Sequence, residues 1–567
     1  MLRKELPIMG KKEKEKSTKN GNMIEEALRI VYSYIYSHYT SEDASIVWAE
    51  VSSIIGDIEY TLPVETEHDI YYTYPQIQNL LSSINEKESI RKSKGVYYTP
   101  NDVVQFILNS SIKSAYGKLN ENTINAADLS MIPYKSFCTS KTIFDPTCGA
   151  GEFLLIALEM KMKLLKSNMD TNSKKVVIKT VETIYGNDVN IDSVIITKLR
   201  LLLCVAENFD ASYCKGVGNV LNQNITSYDF VSGQVKTTKK FNLIVGNPPY
   251  VEDSKCGLKL TTKFGNIYAN VLLNSAKMLE KSGTIGFIIP LSYVSTPRMR
   301  KLREELGTYV PEQYILSFAD RPDCLFDSVH QKLCILIAKE KKSPIVLYTG
   351  NYQYWYKEER TKLFHDIKVI RNLYYSPDFI PKLGTHIDAD IYRKIINVSN
   401  TLPVYENSRD GSESVYLNRR ETFWMKAYRT KVDDPEYKVF SFSSVQEADF
   451  CYCLINSSLF WWYWICVSDC WHVSKTLNGF RMPISINTNE AVALAKALIR
   501  RLEETKVYVG TKQTQYEYKH RACLEEIHAI DDYINAAYGL TELESEYIKS
   551  FAIRYRTSGG VNTNESN

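Results

Sequence analysis

Hydrophobic positions follow two alternating rhythms along the chain up to about residue 341. Short apolar runs rich in β-branched and aromatic residues are separated by longer segments whose apolar residues have helical spacing. This alternation predicts parallel βαβ units and therefore an α/β fold built on a doubly wound sheet. The predicted strands are Thr142–Phe144, Val181–Tyr185, Phe241–Val245, Gly283–Ile289 and Leu333–Ala338. The predicted helices between them are Asp102–Ser114, Glu152–Lys166, Ile191–Glu207 and Ala269–Leu279.

The pattern differs on both sides of this α/β domain, which we place at residues 94–342. Apolar positions at mixed helical spacing predict a small helical region at residues 23–93. Beyond residue 342 the alternation is lost, so we place a mixed α+β domain at residues 343–556. It should end in helices over Asn489–Thr505 and Tyr516–Tyr538. The basic segment 1–22 and the segment 557–567 are expected to be disordered.

Length, charge and cysteine content restrict the class of protein. The chain has 567 residues, too many for one core of about 250–300 residues. No apolar run reaches the ~18–20 residues that span a bilayer, and no signal-peptide pattern opens the chain. We therefore expect a cytoplasmic protein whose twelve cysteines are reduced. The net charge of +3 does not indicate a nucleic-acid partner. Residues 255–371 do carry 19 basic against 11 acidic residues, but such a surplus is more often a solvated face than a contact with phosphates.

A glycine-containing string, DPTCGAGEFL at Asp145–Leu154, follows the first predicted strand and opens a helix. Glycines permit a tight turn and a close approach of the backbone to a ligand. A βα turn without a ligand is the structural alternative. The complete string with its leading Asp-Pro favours a ligand site at the end of the strand.

The next predicted strand ends in YGNDVN at Tyr185–Asn190, which presents Asp188. A carboxylate at this place can accept hydrogens from both hydroxyls of a ribose. Alone, Asp188 would more simply cap the helix that begins near Ile191. Its position one βα unit after the glycine turn favours the ligand role.

A third string, NPPY at Asn247–Tyr250, ends the strand Phe241–Val245. Two consecutive prolines stiffen the loop and supply carbonyls without amide donors. A rigid set of acceptors beside an aromatic ring suits a planar group that bears an NH₂. A proline-rich turn without a function would explain a Pro-Pro pair alone, but not the whole set of strings.

A fourth string, GVYYTP at Gly95–Pro100, precedes the helix Asp102–Ser114 and is typical of a helix start. Together the four strings resemble motifs X, I, II and IV of DNA amino-methyltransferases, in the order of the gamma class. The resemblance covers about Lys94 to Lys341. It implies a Rossmann-like, doubly wound methyltransferase sheet, S-adenosylmethionine as methyl donor, double-stranded DNA as partner, and a C-terminal target-recognition domain. An asparagine at position 247 points to adenine N6 rather than cytosine N4.

The resemblance also implies roles for individual residues. Asp145, Gly149 and Gly151 would hold the amino-acid end of S-adenosylmethionine, and Asp188 would bind its ribose hydroxyls. Asn219 stands where the family commonly has an Asp that binds the cofactor adenine, and its side-chain oxygen can still accept that bond. The other positions expected to border the cofactor are Tyr98, Thr99, Pro100, Thr147 and Phe153.

The implied reaction begins when the target adenine is flipped out of the duplex. The side-chain oxygen of Asn247 and the carbonyl of Pro248 would accept the two N6 hydrogens, while Pro249 keeps the loop stiff. Tyr250 would stack on the base. Phe326, in a string resembling motif VIII, would face Tyr250 across the base or else be a core residue. No metal is expected to take part.

The C-terminal domain offers candidates for DNA recognition. Arg419, Arg420 and Arg429 could contact base edges or phosphates. The aromatic cluster Phe460–Trp464 could wedge into DNA, although packing in the core explains it more simply. Five residues lack the spacing of a zinc site and are interpreted as core: Cys451, Cys453, Cys466, Cys470 and His472.

Four alternatives to a stand-alone DNA methyltransferase stay open. A methyltransferase acting on protein glutamine also suits NPPY, but such enzymes are usually shorter. A modification subunit of a multisubunit restriction complex would also begin with helices. A fused restriction–modification enzyme would need a nuclease motif, and residues 1–94 show no convincing one. A non-enzymatic DNA-binding protein would not need an intact Asn247–Tyr250. A separately encoded restriction endonuclease is a candidate partner of the methyltransferase.

Overall fold

The computed structural model describes most of the chain. The described residues are 11–57, 71–84, 99–125, 129, 132–168, 173–233, 238–326, 330–376, 378–398, 411–432, 434–473, 480, 488–510 and 516–557. Tyr98 and the expected disordered segments 1–10 and 558–567 lie outside them. Helix α1 begins at Lys11, inside the segment for which we expected no structure.

Three N-terminal helices form one layer against the α/β domain. They are α1 (Lys11–His38), α2 (Ser41–Ile55) and α3 (Tyr74–Ile84). All three pack on α8 (Ile191–Asn208), which is buried along almost its whole length for that reason. The predicted helical region is therefore present, and it shares a hydrophobic core with the sheet domain.

A nine-stranded sheet forms the centre of the molecule. Its order is β11-β9-β7-β8-β6-β5-β2-β3-β4, and β4, β3, β2, β5 and β6 run parallel. Strand β8 is antiparallel to both β6 and β7. The strands are β2 (Ile143–Asp145), β3 (Ile184–Asn187), β4 (Ile225–Thr226), β5 (Phe241–Gly246), β6 (Leu279–Pro290), β7 (Glu312–Phe318), β8 (Leu333–Lys339), β9 (Val346–Thr349) and β11 (Ile370–Arg371), with a separate pair β1 (Thr123–Ile124) and β10 (Ile367–Lys368).

Helices cover this sheet in two groups. One group consists of α4, α6 and α8, with α4 packed on β5, β6 and β8, and the other contains α10 and α12. The helices are α4 (Asn101–Ala115), α5 (Tyr134–Thr139), α6 (Glu152–Ser167), α7 (Lys174–Val181), α9 (Val217–Asn224), α10 (Tyr268–Lys277), α11 (Ser292–Ser295) and α12 (Arg300–Tyr309). The chain continues from β2 to β3 on one side and from β5 to β6 on the other. This places the topological switch point, where doubly wound sheets bind ligands, between β2 and β5.

The sheet confirms the predicted α/β fold and extends it. The five predicted strands are present, although the second begins only at Ile184 because Val181 ends α7. Strand β7 was not predicted. Strands β9 and β11 continue the same sheet beyond residue 342, so the boundary that the loss of alternation suggested falls inside the sheet. Both strands are short, and the segment between them contains a short 3-10 helix (Lys357–Lys362) instead of an α-helix.

The C-terminal part is mixed α+β, as expected. Its three-stranded antiparallel sheet has the order β13-β12-β14, and a small hairpin pairs β15 with β16. The predicted helix from Tyr516 begins only at Leu524, because Tyr516 and Glu517 form β16. The elements are α13 (His386–Ile396), β12 (Glu413–Asn418), β13 (Ala427–Tyr428), β14 (Tyr437–Phe442), α14 (Val445–Asn456), α15 (Ser458–Val467), α16 (Thr488–Thr505), β15 (Val507–Tyr508), β16 (Tyr516–Glu517), α17 (Leu524–Ala537), α18 (Glu542–Ser550) and α19 (Ile553–Thr557).

Helix α15 carries the aromatic cluster Phe460–Trp464 into the core. Its aromatic side chains are at most 3% exposed, which confirms packing rather than contact with DNA. The four cysteines of the Cys-His set are also buried, as interpreted, whereas His472 is exposed and pairs with Asp469. In the described part of the chain no lone helix has the length and apolarity to cross a bilayer. Helices α14 and α15 meet that criterion only jointly, with a bend of 59° between them.

Candidate active site

Three of the predicted site residues follow neighbouring strands of the sheet. Asp145 ends β2, Asp188 follows β3 and Asn247 follows β5, and β2 lies between the other two strands. Because these strands are parallel, their carboxyl ends meet at one edge of the sheet. The structure therefore brings the strings that resemble motifs I, II and IV together at the topological switch point.

The glycine turn after β2 has one tight and one open side. Gly149 and Gly151 have φ values of +54° and +88°, a region that favours glycine. A Cβ atom on Gly151 would lie 2.7 Å from Cγ2 of Thr197 in α8, so a side chain there would clash. A Cβ atom on Gly149 would have no heavy atom within 4 Å. The turn thus packs against α8 and leaves Gly149 facing open space that a ligand could fill.

Asp188 is tied directly to this turn. Its Oδ2 accepts a hydrogen bond from the amide of Gly149 over 2.9 Å, and its Oδ1 accepts one from the amide of Asn190 over 2.8 Å. Carboxylate oxygens can each accept further bonds. The half-buried Asp188 is therefore held rigidly beside the glycine turn and keeps the capacity to bind hydroxyl groups.

Asp145 is the buried carboxyl of the site. It is 2% exposed, and its Oδ1 accepts a bond from the amide of Thr147 over 3.0 Å. Burial raises the pKa of Asp145 well above its ordinary value; the Thr147 amide opposes this shift and the charge of Asp188 adds to it. A Cβ atom on Gly246 would lie 2.7 Å from Oδ1 of Asp145, so the end of β5 must be glycine for this carboxyl to fit. A carboxyl in this setting favours a cationic ligand beside it.

The NPPY loop is joined to the segment before α4. The side-chain nitrogen of Asn247 donates a hydrogen bond to the hydroxyl of Thr99 over 3.0 Å, and Thr99 is 4% exposed. The hydroxyl of Tyr250 donates to the carbonyl of Ile288 in β6 over 2.9 Å. The Tyr250 ring also meets Tyr268 edge-on, with centroids 6.4 Å apart. Both ends of the loop are therefore anchored, and Pro248 and Pro249 between them cannot donate backbone hydrogen bonds.

The remaining predicted cofactor positions lie in the same region or in the core. Pro100 stands directly before α4, and its carbonyl accepts the amide of Val104 over 3.1 Å. Thr147 lies in the glycine turn, and Phe153 in the first turn of α6 is 3% exposed. Phe153 thus supports the site from within the core.

Phe326 is also a core residue in this structure. It is 2% exposed. The carbonyls of Cys324 and Leu325 accept hydrogen bonds from the guanidinium of Arg360, which pairs with Asp102 in the first turn of α4. The burial of Phe326 supports the core interpretation rather than a ring exposed to a base.

Asn219 does not lie at the site. It belongs to α9, which precedes β4, whereas the site lies beyond the carboxyl ends of the strands. Its Oδ1 accepts a hydrogen bond from Ser53 of α2 over 3.2 Å. The first amides of α9 are taken by Glu50, which accepts from Gly216 and Gly218 over 2.8 Å each. The expected contact of Asn219 with the cofactor is therefore corrected: this segment binds the N-terminal helices instead.

At this edge of the sheet the chain presents Asp229 rather than Asn219. It follows β4, whose end is joined to Asp188 by a backbone bond from Asp188 to Thr226. The side-chain amide of Asn187 bonds both backbone groups of Tyr228, over 3.0 and 3.1 Å, and so holds this segment beside β3. An acidic residue shortly after a strand was the signal in the sequence, and the two residues of β4 were too few to reveal that strand.

The three candidate arginines of the C-terminal domain have different surroundings. Arg429 pairs with Asp449 over 2.7 Å and with Glu413 over 2.5 Å, and its side chain is 13% exposed. Arg420 is exposed and pairs with Glu436. Arg419 is exposed as well, and its backbone bonds Glu436 and Val473. Arg429 therefore forms structural ion pairs with Asp449 and Glu413, whereas Arg419 and Arg420 face solvent.

The segment with Arg419 and Arg420 is joined to the sheet edge that carries the candidate site. Arg420 forms an isolated β-bridge with His472. Next to His472, the ring of Trp471 lies under the ammonium of Lys332, which also pairs with Asp320 over 3.2 Å. Asp320 and Lys332 belong to the connection between β7 and β8, at the edge where the site lies. The two exposed arginines are thus connected to the side of the sheet that carries Asn247.

No cluster of three or more His, Cys, Asp or Glu side chains capable of holding a metal ion occurs among the described residues. The chemistry of the site is that of carboxylates, a carboxamide, backbone groups and an aromatic ring. The two carboxylates beside the open glycine turn suit a ligand that has a cationic amino-acid end and a ribose.

Curated proteins are similar to parts of the chain. A protein of Methanocaldococcus jannaschii, named as a type II restriction enzyme and methyltransferase, is 28% identical over 225 residues, which are 33% of this chain and 18% of the relative. A type II methyltransferase of Vibrio sp. (strain 343) is 24% identical over 234 residues, 40% of this chain and 44% of the relative. Ribosomal RNA small subunit methyltransferase C of Buchnera aphidicola is 28% identical over 180 residues, 32% of this chain and 41% of the relative. The chain thus spans less than half the length of these relatives.

A family model described as Eco57I restriction-modification methylase matches residues 182–322. This segment contains Asp188, the whole NPPY loop and strands β3 to β7. The relatives named above include one named as a type II restriction enzyme and methyltransferase and one named as a type II methyltransferase. The resemblance to restriction–modification methylases that the motifs indicate is therefore confirmed over residues 182–322.

Proposed function

We propose that this chain is a site-specific DNA methyltransferase that transfers a methyl group from S-adenosylmethionine to N6 of an adenine flipped out of double-stranded DNA. The observation that carries the proposal is the bond from Asn247 to Thr99. It fixes a carboxamide and two prolines at the sheet edge that also carries the glycine turn. That arrangement suits an amino group placed beside a methyl donor.

The donor would be held by the carboxyl ends of β2, β3 and β4. When bound, S-adenosylmethionine supplies an electrophilic methyl group on a sulfonium. Asp145 would attract the cationic amino-acid end, and Asp188 would accept the ribose hydroxyls. The open side of Gly149 lets the backbone approach the ligand. Asp229 would accept a hydrogen bond from the amino group of the donor's adenine.

The target amine would be held by the NPPY loop. The side-chain oxygen of Asn247 and the carbonyl of Pro248 would accept its two hydrogens, which orients the nitrogen lone pair toward the donor. Tyr250 is anchored through its hydroxyl to Ile288, so its ring is pre-positioned to stack on the extruded base. Such stacking contributes about 1–3 kcal/mol per base and offsets the few kcal/mol that flipping costs.

DNA recognition would involve the exposed Arg419 and Arg420. They are connected to the catalytic edge through His472, Trp471 and Lys332. Arginine binds guanine O6 and N7 in the major groove or a phosphate oxygen. Their position favours contact with the duplex next to the flipped base.

The proposal is tested by sequencing DNA from a host that expresses the chain, with a method that detects each modified base. We expect N6-methyladenine in one short sequence motif. The Asn247→Ala variant, expressed at an equal level, should leave that motif unmodified. N4-methylcytosine, or unmodified DNA together with a methylated protein glutamine, would overturn the proposal.

A second experiment separates DNA from RNA and a lone enzyme from a subunit. The purified chain is incubated with radiolabelled S-adenosylmethionine and either duplex DNA containing the motif or ribosomal RNA. This comparison is needed because one relative is named as a ribosomal RNA methyltransferase. We expect labelled DNA without any added protein. Label in RNA alone would contradict the proposal, and label in DNA only after a second protein is added would identify a modification subunit.

A further inference from the structure

The carbonyls of the glycine turn are held by α8. The hydroxyl of Thr197 donates to the carbonyl of Gly149 over 2.9 Å, and Nη1 of Arg200 donates to the carbonyl of Ala150 over 2.6 Å. Thr197 and Arg200 are 0% and 2% exposed. The turn contains two glycines with positive φ, which tolerate many backbone conformations. The two bonds from α8 therefore select one of those conformations.

Arg200 is in turn held by the N-terminal helices. Its Nε donates to Oε1 of Gln78 in α3 over 3.0 Å, and Nε2 of Gln78 donates to the carbonyl of Arg200 over 3.2 Å. Gln78 is 4% exposed. The two residues are 122 positions apart in the sequence. One carboxamide of α3 thus binds both the side chain and the backbone of the residue that holds the turn.

Glu152 completes the network at the start of α6. Its Oε1 accepts from Nη1 of Arg200 over 2.5 Å and from the hydroxyl of Ser82 in α3 over 2.8 Å. The side chains of Arg200 and Glu152 are 3% and 12% exposed. A buried ion pair is stable when its remaining donors and acceptors are bonded. Gln78 and Ser82 supply those bonds here.

We infer that the N-terminal helix α3 positions the methyl-donor turn, with Gln78 and Arg200 as positioning residues. The inference rests on the proposed function. Gln78 orients the guanidinium of Arg200, which then holds the carbonyl of Ala150, and with it the glycine turn, in the conformation that binds the donor. The N-terminal region is therefore part of the donor site. Pre-organisation of this kind strengthens binding without adding a contact to the ligand.

The test uses Gln78→Leu, which keeps the volume and removes both bonds. We expect a five- to tenfold higher Kd for S-adenosylmethionine, with kcat at saturating donor and Kd for DNA within twofold of the original chain. Gln78→Glu retains an acceptor for Arg200 and should restore most of the donor affinity. Binding of 5′-methylthioadenosine, which lacks the amino-acid end of the donor, should not change in either variant.

The matched control is Tyr34→Phe. It deletes the bond from Tyr34 in α1 to Oε2 of Glu207 over 3.0 Å, which also joins the N-terminal helices to α8 but is remote from the turn. We expect a lower Tm and an unchanged donor Kd. The inference is wrong if the Kd of Gln78→Leu for S-adenosylmethionine stays within twofold of that of the original chain. It is also wrong if Tyr34→Phe raises this Kd as much as Gln78→Leu does. Failure of the original chain to bind S-adenosylmethionine would instead contradict the proposed function.

Discussion

The side-chain nitrogen of Asn247 donates to the hydroxyl of Thr99, and this bond joins two motifs that lie 148 residues apart. Because the nitrogen is committed to Thr99, the carboxamide oxygen is directed away from it. An acceptor in a fixed orientation is what an exocyclic amine needs as its partner. Under the proposed function, Thr99 and Asn247 would therefore act as one unit, in which Thr99 sets the orientation of the carboxamide and Asn247 contacts the amine.

Removing the hydroxyl of Thr99 tests this relationship. We expect Thr99→Val to lower kcat by about three- to tenfold, the value of one hydrogen bond of about 0.5–1.5 kcal/mol. Asn247→Ala should lower kcat by about 10²–10³-fold, because it removes an acceptor at the reacting group. Thr99→Ser, which keeps the hydroxyl, is the matched control in single-turnover kinetics. A kcat for Thr99→Val equal to that of the original chain would show that Thr99 has no orienting role.

The raised pKa of Asp145 predicts a pH-dependent affinity for the donor. Burial favours the neutral carboxyl, whereas a cationic donor favours the carboxylate, so binding should release a proton. The Kd for S-adenosylmethionine should therefore rise as the pH falls through the raised pKa. Asp145→Asn should raise the Kd about tenfold or more, equivalent to about 1.4 kcal/mol, and flatten its dependence on pH. Calorimetry at several pH values, in buffers of different ionisation enthalpy, measures the Kd and the proton release. An equal dependence of Kd on pH in the original chain and in Asp145→Asn would contradict the role of Asp145 in donor binding.

The arginines of the C-terminal domain should separate into two kinds. Arg429→Ala should lower the free energy of unfolding by about 2–4 kcal/mol, because it leaves Asp449 and Glu413 without their cation. Arg419→Ala should leave Tm unchanged and weaken DNA binding. Its effect on the salt dependence of Kd separates a phosphate contact from a base contact. Unaltered DNA affinity over a range of salt concentrations would remove Arg419 from the interface.

Glu421 predicts how stability depends on pH. It is 1% exposed, and burial raises its pKa to about 8, opposed by the charge of Lys426. The unfolded chain ionises this carboxyl near 4.5, so stability is lost as the pH rises from there to about 8. Glu421→Gln removes the loss. Its gain in stability should be small at pH 5 and should grow by up to about 1.4 kcal/mol per pH unit across the window. Urea unfolding at several pH values measures the gain, and a constant difference would contradict the shift.

Hydrophobic periodicity predicted the fold where strands alternate with helices. The apolar segments that became β2, β3, β5, β6 and β8 are separated by helices or close to them, so the alternation identified each one. Strand β7 was not predicted although it follows α12 closely, and it breaks the expected parallel order because it pairs with β8 in antiparallel orientation. Strands β9 and β11, at this end of the sheet, have four and two residues. Segments that short carry no periodicity from which a strand could be predicted.

The site was predictable where its residues follow strands directly. Asp145, Asp188 and Asn247 gather because parallel strands end at one edge. Asn219 was assigned to the cofactor only from its position in a motif. The start of its helix instead binds Glu50, which is remote in the sequence, and the motif does not reveal that contact. Gln78 could not be found for the same reason, since a buried glutamine in a helix has no signature until its partner is known.

Under the proposed function, the continuation of the sheet into β9 and β11 determines where a recognition module could be exchanged. In a chimera joined at residue 343, strands β9 and β11 would come from the second parent protein, whereas the rest of the sheet would come from this chain. The chain stays attached to β9 even beyond Arg371, because Thr349 donates to the carbonyl of Leu383 and Asn351 accepts the amide of Gly384. A splice at Thr385, directly before α13, would transfer the outer module while leaving the catalytic scaffold whole.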